Sequence, residues 1–536
     1  MYISYTISFP QHQVGCFGID QPVATGVSGS CRFKKMKDIQ ELAYIIKQLQ
    51  LKVLNPTGQP MDRDTILYRF YQGLERGEFA TDEGAEKVLY PEGASAAKYR
   101  RLKSTLRDRM LSAIAAFEAN GNDFSDYQRA YYTCHRDWLT VKILIGQNAN
   151  TAAIGQAIRL LKEVQRYEFT MLTMDIAAYL AYQFGLRESN DKKFREANEL
   201  YTNCRLLIDA ECMAEQFYMQ LMVKVVNQLA PNKEVATLAE EYYQQIAGKM
   251  HQFSSYKLYL YGNMINMMRY SAINQFEAVL PICNDAIAFF EKKPFEARVP
   301  LQMFYYQKLL CLIQLRQFEE SREVAKRCIN LTNEGNFNWF KYKELYLKLT
   351  FYSQNYSEGA HIIKAVLSHT RFDFLPDSNK ELWKIYESYS YLLAKMGKID
   401  GLSTNKFKLN KFVNETRIFS KDKSGMNVAI IVLKTMYLLV ERRYDQILDD
   451  VVGIERYCSR YLSNQNSLRS SNFIKMLLQI PLGQFDAILV EKRAKRYFKG
   501  LDKNPRLLHD QTYEVEIIPY ETLWELALEI LRKESS

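Results

Sequence analysis

The sequence predicts an all-α fold: a solenoid of about nine helix pairs, preceded by a small helical module. Three observations carry that expectation. The first is a ladder of apolar anchors. Ile154, Phe194, Val235, Phe276, Phe318, Tyr356, Ile399, Tyr444 and Phe485 follow one another at intervals of 38 to 45 residues. A period of roughly 20–50 residues marks one supersecondary unit stacked repeatedly. The second is agreement around each anchor. Three residues on stands a small or aliphatic residue (Ala157, Ala197, Leu238, Val279, Ser321, Gly359, Leu402, Ile447, Ile488), and ten residues on, seven of the nine are small or apolar. The third is composition. Gly at 23 and Pro at 13 are low for 536 residues, which fits long helices and short turns.

Residues 1–35 stand apart. They hold Gly15, Gly18, Gly26 and Gly29, one acid (Asp20) and no Lys before Lys34, which reads as a disordered leader or an over-long reading of the gene starting properly at Met36. Residues 36–120 form the N-terminal helical module. Ile39, Leu42, Ile45, Ile46 and Leu49 recur on one helix face. Asn55-Pro56 and Pro60 make a loop, and Asp64 is the expected cap of a helix to about Glu75. Thr81 opens a short helix that ends before Pro91, and Ser95 caps a long one to about Phe117.

The solenoid spans 121–510. Its first unit pairs Tyr127–Gly146 with Ala152–Arg166, and the polar Gln147-Asn148-Ala149-Asn150 forms the turn. The rhythm then repeats: a longer helix, a polar turn just before the anchor, and a shorter helix headed by it. Asn274-Gln275, Arg316-Gln317, Gln354-Asn355, Gly397-Lys398 and Gly483-Gln484 are such turns. The unit at Ile399 is the weakest, because Ser403-Thr404-Asn405 interrupts its second helix. Residues 511–536 hold an extended patch, Tyr513 to Pro519, and then an amphipathic capping helix carrying Leu523, Trp524, Leu526, Leu528 and Leu531.

These units resemble tetratricopeptide (TPR-like) repeats. Gly483-Gln484-Phe485, Asn355-Tyr356 with Gly359, Gln317-Phe318 with Ser321 and Cys328, and Phe194 with Ala197 and Cys204 carry the likeness, which covers about 125–500. The period departs from the family's, which is about 34 residues, and the family's unit-end Pro is missing. The resemblance implies a right-handed superhelix whose concave groove, lined by first helices, binds a protein or peptide partner. The family's groove positions fall on Tyr261, Met264 and Met268, on Met303, Tyr306 and Leu310, and on Lys341, Glu344 and Lys348. The other reading of the apolar ones is core between units.

No phosphate-binding, dinucleotide, zinc-protease or nucleophile-elbow motif occurs, so the expectation is a non-enzymatic chain with no cofactor and no metal. His361 and His369 lack companions at ligand spacing, and Cys134-His135 point about 100° apart on a helix and cannot pair. Nine cysteines without a CxxC pair point to a reducing compartment, hence the cytoplasm. No apolar run reaches the ~18–20 residues that span a bilayer, and no membrane partner is expected. Net charge is +10. Its densest expression is the helix with Lys98, Arg100, Arg101, Lys103, Arg107 and Arg109, whose face would suit phosphates, although a solvated helix face is the favoured account of it. A second run, Lys492, Arg493, Lys495, Arg496, Lys499, Lys503 and Arg506 with Tyr497 and Phe498 inside it, fits RNA or an acidic partner; surface charge on a terminal repeat accounts for it as well. The leading expectation is a protein- or peptide-binding scaffold. The alternative is a regulator whose module at 36–120 contacts nucleic acid while the solenoid senses a partner.

Overall fold

The computed structural model describes residues 35–53, 61–93, 95–118, 124–226, 232–403, 407–415, 426–462, 468–502 and 516–535. The leader, most of the Pro56 loop, Thr404-Asn405, Lys503 to Arg506 and Tyr513 to Val515 lie outside these residues. The chain divides into two compact units with the boundary between Phe124 and Ser125. Both are helical, and no strand occurs among the described residues.

The first unit holds α1 (Lys35–Gln48), α2 (Ile66–Glu75), α3 (Asp82–Leu89) and α4 (Ala96–Ala115). Ile39, Ile46, Phe70, Leu106 and Met110 make its core. The cap of α2 is Thr65, not Asp64: the Tyr68 amide donates to Thr65 Oγ1 at 3.2 Å, satisfying an orphan N–H of the first turn. Thr81 and Ser95 cap α3 and α4. Gly73 lets the Phe79 ring lie on the α2 backbone, where a Cβ would stand 2.0 Å from Phe79 Cε2.

The second unit runs α5 (Asp126–Gly146), α6 (Asn150–Arg166), α7 (Thr170–Tyr182), α8 (Asp191–Val226), α9 (Asn232–Gln252), α10 (Tyr256–Ser271), α11 (Phe276–Glu291), α12 (Arg298–Gln314), α13 (Phe318–Asn330), α14 (Phe337–Tyr352), α15 (Tyr356–Leu367), α16 (Asp377–Lys395), α17 (Leu409–Glu415), α18 (Met426–Val440), α19 (Tyr444–Tyr461), α20 (Leu468–Leu477), α21 (Gln479–Leu482), α22 (Ala487–Asp502) and α23 (Tyr520–Ser535). Helices consecutive in sequence pack on one another through most of the unit.

A single device ends most first helices. The next-to-last turn residue is left-handed: φ is 58° at Asn148, 61° at Asn274, 58° at Arg316, Gln354 and Arg442, and 72° at Gly397. The amide after it reaches five residues back, as in Gln317 N to Leu312 O (2.9 Å), Asn355 N to Thr350 O (2.8 Å) and Arg443 N to Leu438 O (2.9 Å). This is the Schellman closure, which satisfies carbonyls that the helix end leaves open.

Four details depart from the sequence reading. Phe276, Phe318, Tyr356 and Tyr444 head their helices, whereas Ile154, Phe194 and Val235 lie inside α6, α8 and α9. The second helix of the Phe194 unit and the first helix of the Val235 unit are one 36-residue helix, α8, because no Gly, Pro or left-handed residue interrupts residues 191–226. After Gly397 no helix forms at Ile399, and α17 is only 7 residues long. In the last unit Gln484 and Phe485 are both left-handed (φ 55° and 61°), and the helix register shifts by one. Ala487 is therefore buried, and Ile488, expected between helices, is 78% exposed.

The unit is also more than a row of neighbours. The Tyr127 ring on α5 stacks on Tyr256 on α10 (4.8 Å) and packs on Phe295 (5.2 Å). Beneath it the Glu168 carboxylate accepts from the Tyr256 amide (2.6 Å) and pairs with Lys293 Nζ (2.6 Å). Farther along, Tyr352 OH donates to Glu516 O (3.0 Å), and the buried Arg469 binds Glu516 (2.6 Å) and Glu521 (2.7 Å). These contacts bring together segments from 47 to more than 160 residues apart in sequence.

Candidate partner-binding surface

The expected groove residues divide by burial. Tyr261, Met264, Met303 and Leu310 are buried, and Met268 and Tyr306 are half-buried. The reason is visible along α12, α14 and α18. Each has apolar residues on all faces and is buried on nearly every side, as expected of a helix with core around it. The apolar members therefore serve as core between helices, not as the lining of an open groove.

The three charged members form an internal cluster. Glu344 accepts from Lys341 Nζ at 3.0 Å and from the Tyr386 hydroxyl of α16 at 3.1 Å, and pairs with Lys348 Nζ at 3.3 Å. Glu344 and Lys348 are both buried. Burial pushes the Glu344 carboxyl up, but the ammonium groups of Lys341 and Lys348 outweigh it and hold it at about 2. Burial lowers the Lys348 ammonium despite the adjacent Glu344. A cluster so satisfied fixes α14 against α16 and offers little to an external peptide.

In the first unit, α4 is less free than its sequence. Lys103 Nζ pairs with Asp82 (2.6 Å), which also accepts from Tyr99 OH (2.9 Å), and Arg107 Nε pairs with Asp38 (3.0 Å). Lys98 lies over the Tyr90 ring at 5.0 Å. Two of the six basic residues of this helix, Lys103 and Arg107, thus clamp α4 to α3 and α1. Arg100 and Arg101 remain exposed.

What stays open is the outward face of other helices. Exposed aliphatic residues stand one turn apart as Leu139 and Ile143 on α5, Met219 and Val223 on α8, and Leu448 and Val452 on α19; Ile488 and Leu489 are exposed on α22. Spacing alone does not say which apolar residues a neighbouring helix will cover, and Ile488 in particular is expected from spacing to lie between helices.

Among the described residues, metal-ligating side chains do not gather. Burial pushes the Cys134 thiol up to about 12, the reverse of what an attacking thiolate needs, and lowers the neighbouring His135. The cysteines among the described residues are free thiols, and these residues contain no cluster of three metal-ligating side chains. None of their helices is long and apolar enough to cross a membrane. Comparison with family models, curated proteins and solved structures gives no significant match for this chain.

Proposed function

We propose that residues 125–535 form a right-handed, TPR-like solenoid that works as a non-enzymatic cytoplasmic scaffold for a partner protein. The observation that carries this reading is the set of exposed aliphatic pairs on α5, α8 and α19. Contiguous apolar surface left in water is costly unless a partner covers it. The resemblance implies a groove lined by first helices; burial of α12, α14 and α18 supports reading the contact on these outward faces instead of in such a groove.

The test is a comparative pull-down. The intact chain and a Leu448→Asp, Val452→Asp variant serve as baits, and a partner held by the wild-type chain is expected to be lost from the variant. Identical recovery by both baits would remove the α19 face from the proposal. The second reading, nucleic-acid contact by α4, rests on Lys98, Arg100 and Arg101, with Lys103 and Arg107 engaged inside the unit. Absence of oligonucleotide binding at about 50 mM salt, where phosphate contacts are strong, would end it.

A further inference from the structure

Helix α22 presents a cationic face that the packing leaves uncompensated. Lys492, Lys495 and Lys499 are spaced three and four residues apart, so they share one side of the helix. All three are exposed, and among the described residues none has an ion-pair partner. Of the two acids of the helix, Glu491 is taken by Arg532 at 2.9 Å, and Asp502, three residues after Lys499, is its last residue. Arg493 donates to Gln479 Oε1 at 3.2 Å, and Arg496 lies over the Tyr497 ring. One turn before Lys492, on the same side, stands Ile488, with Leu489 (50% exposed) beside it. The opposite side is firmly seated through Ala487, Val490, Ala494 and Leu501.

The chemistry of this face narrows the partner. Single-stranded nucleic acid would need rings for base stacking, but Tyr497 and Phe498 are half-buried against the core. Nucleic acid would also leave Ile488 and Leu489 idle. A surface that offers anionic groups above an apolar layer uses both halves. We propose that the outward face of α22 docks on an anionic lipid bilayer, with Ile488 and Leu489 entering the interfacial layer and Lys492, Lys495 and Lys499 meeting the headgroups. The contact is peripheral. The expectation of no membrane partner came from the length of apolar runs, which speaks only to spanning. This contact stands independently of the partner-protein reading, since α22 is not the face tested there.

Each headgroup-facing charge is worth about five-fold in partitioning, so three give roughly a hundred-fold preference for anionic over neutral vesicles, weakening as salt rises. The full chain is sedimented with phosphatidylcholine vesicles, with and without phosphatidylserine. Binding only to the phosphatidylserine vesicles is expected. It is expected to disappear in Lys492→Glu, Lys495→Glu, Lys499→Glu and to weaken in Ile488→Gln, Leu489→Gln. An α4 control, Lys98→Glu, Arg101→Glu, should bind as wild type. All substituted positions are exposed, and an unchanged melting temperature checks each fold. No preference for the anionic vesicles, or binding that survives the lysine reversal, would overturn the proposal. So would vesicle binding indifferent to the loss of both aliphatics, particularly if the lysine reversal also abolished oligonucleotide binding, since that pattern describes a general polyanion site.

Discussion

Two carboxylates inside the helical core are handled in opposite ways. Glu344 sits between two ammonium groups and is held at about 2, below its ordinary 4.5. Its ionised form therefore stabilises the fold above the ordinary carboxylate range, and that contribution fades as pH falls from 4.5 toward 2. Glu344→Gln would strand the buried Lys348; a loss of about 3–5 kcal/mol in urea unfolding is expected, largely restored by adding Lys348→Met. A loss below 1 kcal/mol would mean that Lys348 finds water. Glu211 accepts from Thr170 Oγ1 (2.9 Å) and Ser255 Oγ (2.7 Å), yet burial dominates and raises its carboxyl. The folded state then holds this proton more tightly than the unfolded chain, so stability is lost as pH rises through the carboxylate range. Glu211→Gln keeps an acceptor and removes the charge. Its melting temperature relative to wild type should climb as pH rises above the ordinary carboxylate value of 4.5, and a flat difference would count against the assignment. Neither role was legible in sequence. Glu344 was read as a groove position because spacing reports which side chains share a face, not what covers that face.

At the scale of the element, the turns were largely legible and their register was not. Polar Asn, Gln and Arg before the anchors marked the helix ends, since apolar β-branched residues fit poorly at a left-handed position. A left-handed non-glycine residue still costs stability. Gln354→Gly should raise stability by about 0.5–1 kcal/mol. Five residues on, Gly359→Ala should lower it by about 1–3 kcal/mol, because its Cβ would stand 2.8 Å from Phe351 Cε1 and Thr350 Oγ1. Chemical denaturation of the pair reads both signs, and equal signs would show the turn geometry to be misassigned. The sequence failed where a local signal was missing or doubled. Nothing breaks residues 191–226, so a boundary expected from the period alone did not form. At Gln484-Phe485 two successive left-handed residues moved the helix by one position and turned Ile488 outward.

For the whole molecule, the all-helical class was readable from periodicity. The contacts that tie distant segments were not. Arg469 and Glu516 are 47 residues apart, and no spacing rule connects them. Arg469→Ala would leave the buried Glu516 without its cation. A destabilisation of about 3–5 kcal/mol is expected, with residues 516–535 becoming the first site of proteolytic cleavage. Cleavage that begins elsewhere would show that α23 is held by its apolar face alone. The 36-residue α8 carries a different kind of consequence. Arrays of helix pairs gain and lose length by whole units, since each boundary is a turn that can be cut and rejoined. Here two consecutive units share one uninterrupted rod, so excising either would sever a helix in its middle. A cut at the boundary the period predicts would break continuous backbone hydrogen bonds, so residues 191–226 hold or fail as one element.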